Sequence, residues 1–297
     1  MRGLAGFVMQ GRLRAALVAA AFAVVSLIFA PAIILSGAAV ALVTLRRGST
    51  EGLIVAAAGA IGSAVLAGLA LGNPMSALWL VVVFWVPLWV VSVVLRSSVS
   101  LSLTIQVLLG IAVCGVLALF LALGDAAGWW RDLLGTQLAP MLLESGMSEE
   151  LIAALIEVSA PLMTGMLVGN VALSLLTSLF LARYWQAVLY NPGGFGEEFR
   201  DLRLGRAVSV LALILAGYGY LTEMLLVVNL VVAIVALVAV HGLAVVHGGV
   251  RRAKASRAWL VGVYGLSFFF LPEFLAAMCL LGIVDAWVDL RARIPGV

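Results

Sequence analysis

The chain has 297 residues, of which 65% are hydrophobic and only 10% are charged, with a formal net charge of +3. A soluble globular domain carries about 25% charged residues, so this composition excludes a protein whose surface faces water throughout. The basic residues are nearly all arginines scattered at the ends of apolar segments, which argues against a nucleic-acid-binding protein.

Long apolar segments occupy most of the chain. Lipid cannot satisfy backbone hydrogen bonds, so only helices and closed barrels cross a membrane. Barrel strands alternate apolar and polar residues over about ten positions, whereas the runs here are unbroken, as in 225–240. We therefore predict an all-α fold, a polytopic transmembrane helix bundle of about ten spans (roughly eight to ten) that forms one domain over residues 1–297. The segments are 15–30, 31–45, 53–71, 77–95, 101–123, 161–182, 207–221, 224–246, 258–271 and 274–288.

The first two segments are short for separate spans. At 16 and 15 residues they fall below the about 20 residues that a helical crossing needs. One long helix over 15–45 is the alternative to a hairpin. Arg14 precedes this stretch, and Arg46 and Arg47 follow it. A hairpin that turns near Pro31 keeps these arginines on one side of the membrane, as the positive-inside rule requires.

Charge favours hairpins in the same way for 207–246 and 258–290, because arginines flank both ends of each stretch. Ten crossings then leave both termini in the cytoplasm. Sixteen of the 17 basic residues fall on the cytoplasmic side, and only Arg131 falls outside. Whether 15–45 and 258–290 each make two full crossings stays open. The cytoplasmic set is Arg2, Arg12, Arg14, Arg46, Arg47, Arg96, Arg183, Arg200, Arg203, Arg206, Arg251, Arg252, Lys254, Arg257, Arg291 and Arg293.

One extended segment, 124–160, is predicted to be extracytoplasmic. Ser148 can cap a helix whose first turn carries Glu149 and Glu150. Apolar residues then recur at helical spacing, which predicts an amphipathic helix on the outer surface. This helix either packs on the bundle or forms a lid over an outward pocket. The apolar residues are Leu151, Ile152, Leu155 and Ile156.

The main cytoplasmic feature is the segment 183–206. It opens with Arg-Tyr-Trp-Gln and continues with Tyr190, Asn191, Pro192, Gly193, Gly194, Phe195, Gly196, Glu197, Glu198 and Phe199. Asn-Pro-Gly-Gly is typical of a turn, and no Lys-Ser/Thr pair follows to support a phosphate-binding loop. Glu197, Glu198 and Phe199 are expected to open a short helix toward Leu204. The segment resembles the signature region of the YybS-like family, bacterial multi-pass membrane proteins of unknown function. This resemblance implies the bacterial cytoplasmic (inner) membrane and no particular activity. Residues 190–198 are candidates for docking a protein partner.

The start of the chain combines a short hairpin, the sequence Leu-Arg-Arg-Gly at 45–48 and a Gly/Ala-rich span. This order is similar to the start of the substrate-binding subunits of energy-coupling-factor vitamin transporters. Those subunits carry alanines four apart on the first helix, where they dock their energising partner. Ala15, Ala19 and Ala23 have this spacing, so the resemblance implies a docking face. General helix packing in lipid uses the same spacing of small residues.

Polar side chains within apolar segments are costly in lipid and are candidates for function. Asn170 and Asn229 lie within three turns of the predicted outer ends of their helices, where they would line an outward cavity. Glu157, Glu223 and Glu273 lie at outer helix ends and hairpin tips. They would ring the mouth of that cavity and bind a cation or a basic solute, or they are solvated loop charges.

Other ionisable residues do not converge in the sequence. His241 and His247 are six residues apart, which sets them about 120° apart on a helix and disfavours a shared metal ion. Asp285 and Asp289 share a helix face near the C-terminal arginines, which predicts an ion-pair cluster at the membrane interface. The sequence contains no catalytic triad, zinc motif or paired cysteines, so it predicts no enzyme, no cofactor and no metal site.

The sequence favours a membrane transport or solute-binding component. Its expected partners are the lipid bilayer, a membrane protein and a small-molecule solute. The alternative is a non-catalytic scaffold that recruits protein partners through 183–206. The first hypothesis predicts an outward cavity among the spans, and the second predicts a packed bundle with an exposed loop.

Overall fold

The computed structural model of the chain describes residues 2–256 and 258–294. Helix accounts for 86% of the structure, and no strand occurs within the described ranges, so the predicted all-α class is confirmed. Arg257, counted above among the cytoplasmic basic residues, lies outside the described residues.

The helices follow one another with short connections. A 3-10 turn, Ala160–Leu162, separates the ninth and tenth of them. The helices are α1 (Arg2–Met9), α2 (Arg12–Val25), α3 (Ala32–Arg47), α4 (Ser49–Leu71), α5 (Pro74–Ser98), α6 (Leu101–Leu123), α7 (Ala126–Gln137), α8 (Ala139–Glu144), α9 (Glu149–Ser159), α10 (Met163–Tyr190), α11 (Gly194–Arg200), α12 (Arg206–Thr222), α13 (Leu225–Arg252), α14 (Ala258–Phe269) and α15 (Leu271–Val288).

Six helical stretches of the described chain are long and apolar enough to cross a membrane. They are Ser49–Ala70, Ala77–Ser98, Leu101–Leu123, Glu149–Tyr190, Leu225–Arg252 and Leu271–Val288. The helices α12 and α14 are apolar but shorter. These lengths are those of a helical membrane protein, because about 20 residues at 1.5 Å each cover the hydrocarbon core.

The chain divides into two compact units. Unit 1 comprises Met1–Leu108 and Leu173–Arg203. Unit 2 comprises Leu109–Ala172 and Leu204–Val297. Because α6 and α10 cross these boundaries, each helix has one part in unit 1 and the other part in unit 2.

The predicted hairpin at the start of unit 1 is confirmed. α2 ends at Val25 and α3 begins at Ala32, with Pro31 in the connection. α3 is rich in small residues and is buried along most of its length. Ser36 of α3 donates a 2.7 Å hydrogen bond to the carbonyl oxygen of Ala19. At 14 and 16 residues, the two helices rise about 21 and 24 Å, less than the about 30 Å of hydrocarbon.

The alanine face of α2 packs inside unit 1. Ala15, Ala19 and Ala23 each have 0% of their surface exposed. Ala20, on the adjacent side of α2, lies against a glycine of α4. A Cβ atom at Gly62 would lie 3.2 Å from the Cβ of Ala20. Small residues allow this close approach of helices. In the structure these alanines pack within the chain, and the docking face implied by the transporter resemblance stays a prediction.

Ala19→Leu is expected to lower the free energy of unfolding by about 1–3 kcal/mol, the usual cost of forcing extra methylenes into a packed core. The matched control is Ala21→Leu, because Ala21 lies on the same helix and is exposed. Thermal unfolding of both purified variants in detergent measures the difference. Equal midpoints for the two variants would contradict internal packing of the alanine face.

Unit 2 is organised around the parallel packing of α13 on α15, in which His241 contacts Asp285 and, further along the chain, Arg252 contacts Arg291. A Cβ atom at Gly242 would lie 1.9 Å from the carbonyl oxygen of Met278, so the two backbones touch at this point. Elsewhere in the unit, α9 begins as predicted, with the Ser148 side chain accepting from the backbone N–H of Leu151. Ile152 and Ile156 form its buried face.

Candidate functional site

A polar cavity of about 260 Å³ lies in unit 1, where α3, α5, α10 and α11 meet. Apolar and polar side chains both line it: Leu45, Leu95, Arg96, Val99, Arg183, Gln186 and Glu198. Three of these residues belong to the segment 183–206. The candidate site is defined here by these seven residues and is called the arginine cavity.

Arg96 is held in the arginine cavity by the end of a neighbouring helix. It lies in the last turn of α5, and its Nη1 donates a 2.6 Å hydrogen bond to the carbonyl oxygen of Leu45 in α3. The last carbonyl groups of a helix have no partner within the helix, and a cation is favourable there. Arg96 thus caps α3 while its side chain remains exposed to the cavity.

Arg183 is the centre of the hydrogen-bond network. Its Nε donates to Oε2 of Glu198 at 2.9 Å, and its Nη2 pairs with Oε1 of the same carboxylate. Its Nη1 donates to the side-chain oxygen of Gln186 at 2.6 Å. Arg183 and Gln186 are three residues apart on α10, which brings them to one face of the helix. The bidentate pair fixes the plane of the guanidinium.

Aromatic packing brings Glu198 to Arg183. Phe195 and Phe199 of α11 both contact Phe180 of α10. Their ring centroids lie 5.4 and 5.6 Å, respectively, from that of Phe180. Such contacts favour tilted and edge-to-face geometry, which these rings adopt. The short helix α11 is therefore folded back along α10, and the short helix predicted from Glu197 is present but begins three residues earlier, at Gly194.

The turn between α10 and α11 depends on its glycines. Gly193 has φ +93°, a left-handed conformation that favours glycine. A Cβ atom at Gly194 would lie 2.4 Å from Nδ2 of Asn191. Tyr190 ends α10, and the guanidinium of Arg46 lies 4.1 Å from its ring centroid, within the range of a cation–π contact. Asn191, Pro192 and Gly193 are exposed, and α11 is half-buried apart from Glu197.

The charges of the arginine cavity favour an anion. Two guanidinium groups, of Arg96 and Arg183, face one carboxylate, of Glu198, so the lining carries a net charge of +1. Guanidinium groups present several donors in one plane and bind carboxylate or phosphate oxygens in pairs. Gln186 adds a neutral amide.

The residues predicted for an outward cavity do not form one set. Asn229 is fully buried, with 0% of its surface exposed, and is hydrogen-bonded through both side-chain atoms. Asn170 is exposed on α10. Glu157 forms an ion pair with Arg131, in which Oε1 of Glu157 lies 2.7 Å from Nε of Arg131. The arginine cavity includes none of them.

The two remaining predicted carboxylates, Glu223 and Glu273, are exposed. Glu223 ends α12 in a left-handed conformation with φ +52°. Glu273 lies in the first turn of α15, where a negative charge is favourable because of the helix dipole. Both positions fit solvated charges at helix ends, the alternative stated above.

Sequence reasoning missed the arginine cavity because its two arginines come from distant parts of the chain. Arg96 was used only to assign topology. The spacing of Arg183 and Gln186 on one helix was a signal of a local pair, whereas nothing in the sequence connects them to Arg96 or Leu45.

The fold and the cavity together describe a helical membrane protein with a basic polar cavity in one unit. Comparison of the chain with protein-family models, with curated proteins and with solved structures finds no match in any of the three.

Proposed function

We propose that the chain is a solute-binding component of a transport system in the bacterial cytoplasmic membrane, and that the arginine cavity takes a small anionic solute. The observation that carries the proposal is the paired placement of Arg96 and Arg183 around one cavity, with Glu198 as the single opposing charge. The binding site is therefore different from the outward cavity predicted from the sequence.

The size of the cavity supports a small ligand. The cavity volume of about 260 Å³ is smaller than the roughly 300–1,000 Å³ of sites that hold drug-sized molecules. A phosphate group or a small carboxylate fits this range. Glu198 already forms an ion pair with Arg183. An entering anion therefore either binds mainly to Arg96 or displaces the Glu198 carboxylate from Arg183.

The proposed topology puts the arginine cavity on the cytoplasmic side. Arg96 and Arg183 both belong to the basic set that the positive-inside rule assigns to the cytoplasm. Six long apolar helices support a membrane bundle, and the proposed ten crossings require α2, α3, α12 and α14 to cross as well. With ten crossings both termini are cytoplasmic. A solute would then enter or leave this cavity from the cytoplasm.

Arg96→Gln is expected to weaken anion binding at least tenfold. A hydrogen bond to a charged group contributes about 1.5–3 kcal/mol, and each 1.4 kcal/mol is a factor of about ten in affinity. Glutamine is shorter than arginine, so the change also removes the hydrogen bond from Nη1 to the carbonyl oxygen of Leu45. Inorganic phosphate and small mono- and dicarboxylates are titrated calorimetrically against the protein in nanodiscs of zwitterionic lipid.

The matched control is Arg131→Gln, which removes an arginine from an ion pair in unit 2. It should bind the same anions as the unchanged protein. Failure of every anion to bind the unchanged protein, or equal affinities for Arg96→Gln and Arg131→Gln, would contradict the proposal.

The exposed turn favours a second candidate function, a scaffold that recruits a protein partner. Tyr190 is 45% exposed, and Asn191, Pro192 and Gly193 project beyond the anchored part of α11. The two functions separate experimentally. Substituting alanine for Asn191 and Pro192 should abolish co-purification of a partner and leave anion binding intact, whereas Arg96→Gln should do the reverse.

A further inference from the structure

A second group of ionisable side chains, none of which lines the arginine cavity, is buried in unit 2. His241 of α13 and Asp285 of α15 approach to 3.2 Å, Nε2 to Oδ2. Nη2 of Arg291 donates to the same carboxylate oxygen at 2.7 Å. The exposed side-chain fractions are 1%, 0% and 2%. These three residues are called the buried triad.

The fold brings the buried triad together through glycines. Gly242 follows His241, and Gly282 precedes Asp285 by less than one helical turn. A Cβ atom at Gly282 would lie 3.0 Å from the backbone nitrogen of Gly242 and 3.1 Å from the Cβ of His241. Because neither glycine has a side chain, α13 and α15 approach closely enough for the imidazole to reach the carboxylate.

Arg291 reaches the triad from the turn that follows α15. This turn begins at Asp289, whose φ of +48° is left-handed and reverses the chain. Nη1 of Arg252, at the end of α13, donates to the carbonyl oxygen of Arg291 at 2.7 Å. The sequence predicted Asp285 and Asp289 together in an interfacial ion-pair cluster. The structure contains the pairing of Asp285 with one of the C-terminal arginines, Arg291, but it adds His241 to the cluster and buries all three side chains.

The charges of the buried triad balance when His241 is neutral. The Asp285 carboxylate and the Arg291 guanidinium cancel, so one added proton makes the triad +1. Asp285 contacts His241 and Arg291 through Oδ2, and its buried Oδ1 has no hydrogen-bond partner among the described residues. Ionisable groups are expensive in the membrane interior and are functional candidates by default.

The surrounding helices add few other charges. From α12, Nε of Arg206 donates to the carbonyl oxygen of Ala286 at 3.3 Å. From α13, Arg252 contacts Arg291 as described. From α14, the Tyr264 hydroxyl contacts the ring of His247, not that of His241, at 2.8 Å. After α15, Nε of Arg293 contacts the carbonyl oxygen of Val288. Asp285 supplies the carboxylate that contacts His241 at 3.2 Å.

We propose that the buried triad is a proton-binding site within the helices of unit 2. The proton adds to the imidazole of His241, where the Asp285 carboxylate stabilises the imidazolium and the Arg291 guanidinium opposes it. Binding consumes one proton from water and breaks no covalent bond. The inference rests on unit 2 alone and holds whether or not the arginine cavity binds an anion.

The chain contains only two histidines, which gives a direct test. His247→Gln leaves His241 as the sole imidazole, and the ¹⁵N signals of labelled histidine are followed by NMR in nanodiscs between about pH 4 and pH 9, the range in which histidines titrate. The expected result is one transition of His241 from neutral imidazole to imidazolium. A ring that stays in one form throughout would overturn the proposal.

Two further variants in the same background test the roles of the neighbours. Asp285→Asn should move the transition to lower pH by about one pH unit or more, because an opposite charge that favours the imidazolium is lost. Arg291→Gln should move it to higher pH, because a like charge is lost. A purely structural ion pair predicts no such opposite displacements, and equal midpoints in all three proteins would contradict the proposal. If either variant fails to fold, the titration of the His247→Gln protein decides alone.

Discussion

Gly242→Ala is expected to lower the free energy of unfolding by about 3 kcal/mol, the upper end of the usual cost of overpacking. A Cβ atom at this position would lie 1.9 Å from the carbonyl oxygen of Met278 and 2.7 Å from its carbonyl carbon. These are backbone atoms, which cannot rotate away as the end of a side chain can. The alanine therefore forces α13 and α15 apart along their whole contact, since packed interiors transmit such strain.

The matched control is Gly262→Ala in α14. A Cβ atom at Gly262 would meet no atom within 4 Å, so this change should alter stability by less than about 0.5 kcal/mol, as surface substitutions usually do. Denaturant titration of both purified variants in detergent, followed by tryptophan fluorescence, gives the two values. Similar stabilities would show that α13 and α15 do not approach as closely as described.

The separation of α13 and α15 should also disturb the buried triad. His241 precedes Gly242 on α13, and its 3.2 Å contact with Asp285 bridges the two helices. When Gly242→Ala is introduced into the His247→Gln protein, the midpoint of the His241 transition should move to lower pH, in the same direction as in Asp285→Asn. Packing and proton binding in unit 2 therefore depend on the same glycine contact.

The helices of the fold follow largely from local sequence. The positive-inside rule and Pro31 predicted the α2–α3 hairpin, and the structure contains it. Ser148 and the acidic residues after it predicted the start of α9, and the cap is present. In each case the signal lies within a few residues of the structure that it specifies, because caps and turns are local interactions.

The segment 183–206 shows why other parts escaped prediction. The sequence predicted a short helix that opens at Glu197, whereas α11 already begins at Gly194, although two glycines in 194–196 have low helix propensity. The structure is helical there because Phe195 and Phe199 pack on Phe180 and Glu198 pairs with Arg183. These contacts join α11 to α10 across the turn, and tertiary packing overrides a weak local propensity.

The candidate sites escaped prediction for a related reason. Arg96 and Arg183 are assigned to one cavity only when α5 and α10 are packed, and His241 meets Asp285 across 44 positions of sequence. A single sequence records the residue types and their helical spacing, but it carries no direct signal of which helix faces lie together. Charges within apolar segments were the available clue, since each needs a partner in lipid.

Asn229→Ala is expected to lower the free energy of unfolding by about 2 kcal/mol or more, because it leaves buried polar groups without their partner. The Oδ1 of Asn229 accepts a 2.6 Å hydrogen bond from the backbone N–H of Gly165. Its Nδ2 donates to the carbonyl oxygens of Pro161 and Leu225, both at 2.8 Å. One side chain thus connects α13 to the start of α10 and to the 3-10 turn before it.

Asn170→Ala is the matched control, because the sequence predicted the same role for both asparagines and the structure separates them. Asn170 is exposed, so its removal should change stability by less than about 0.5 kcal/mol. Thermal unfolding of the two variants in the same detergent compares them directly. If Asn229 instead lined a solute cavity, Asn229→Ala would leave stability nearly unchanged and alter ligand binding alone. A large loss of stability confined to Asn229→Ala would establish it as a buried connection between helices, leaving the arginine cavity as the site to pursue for solute binding.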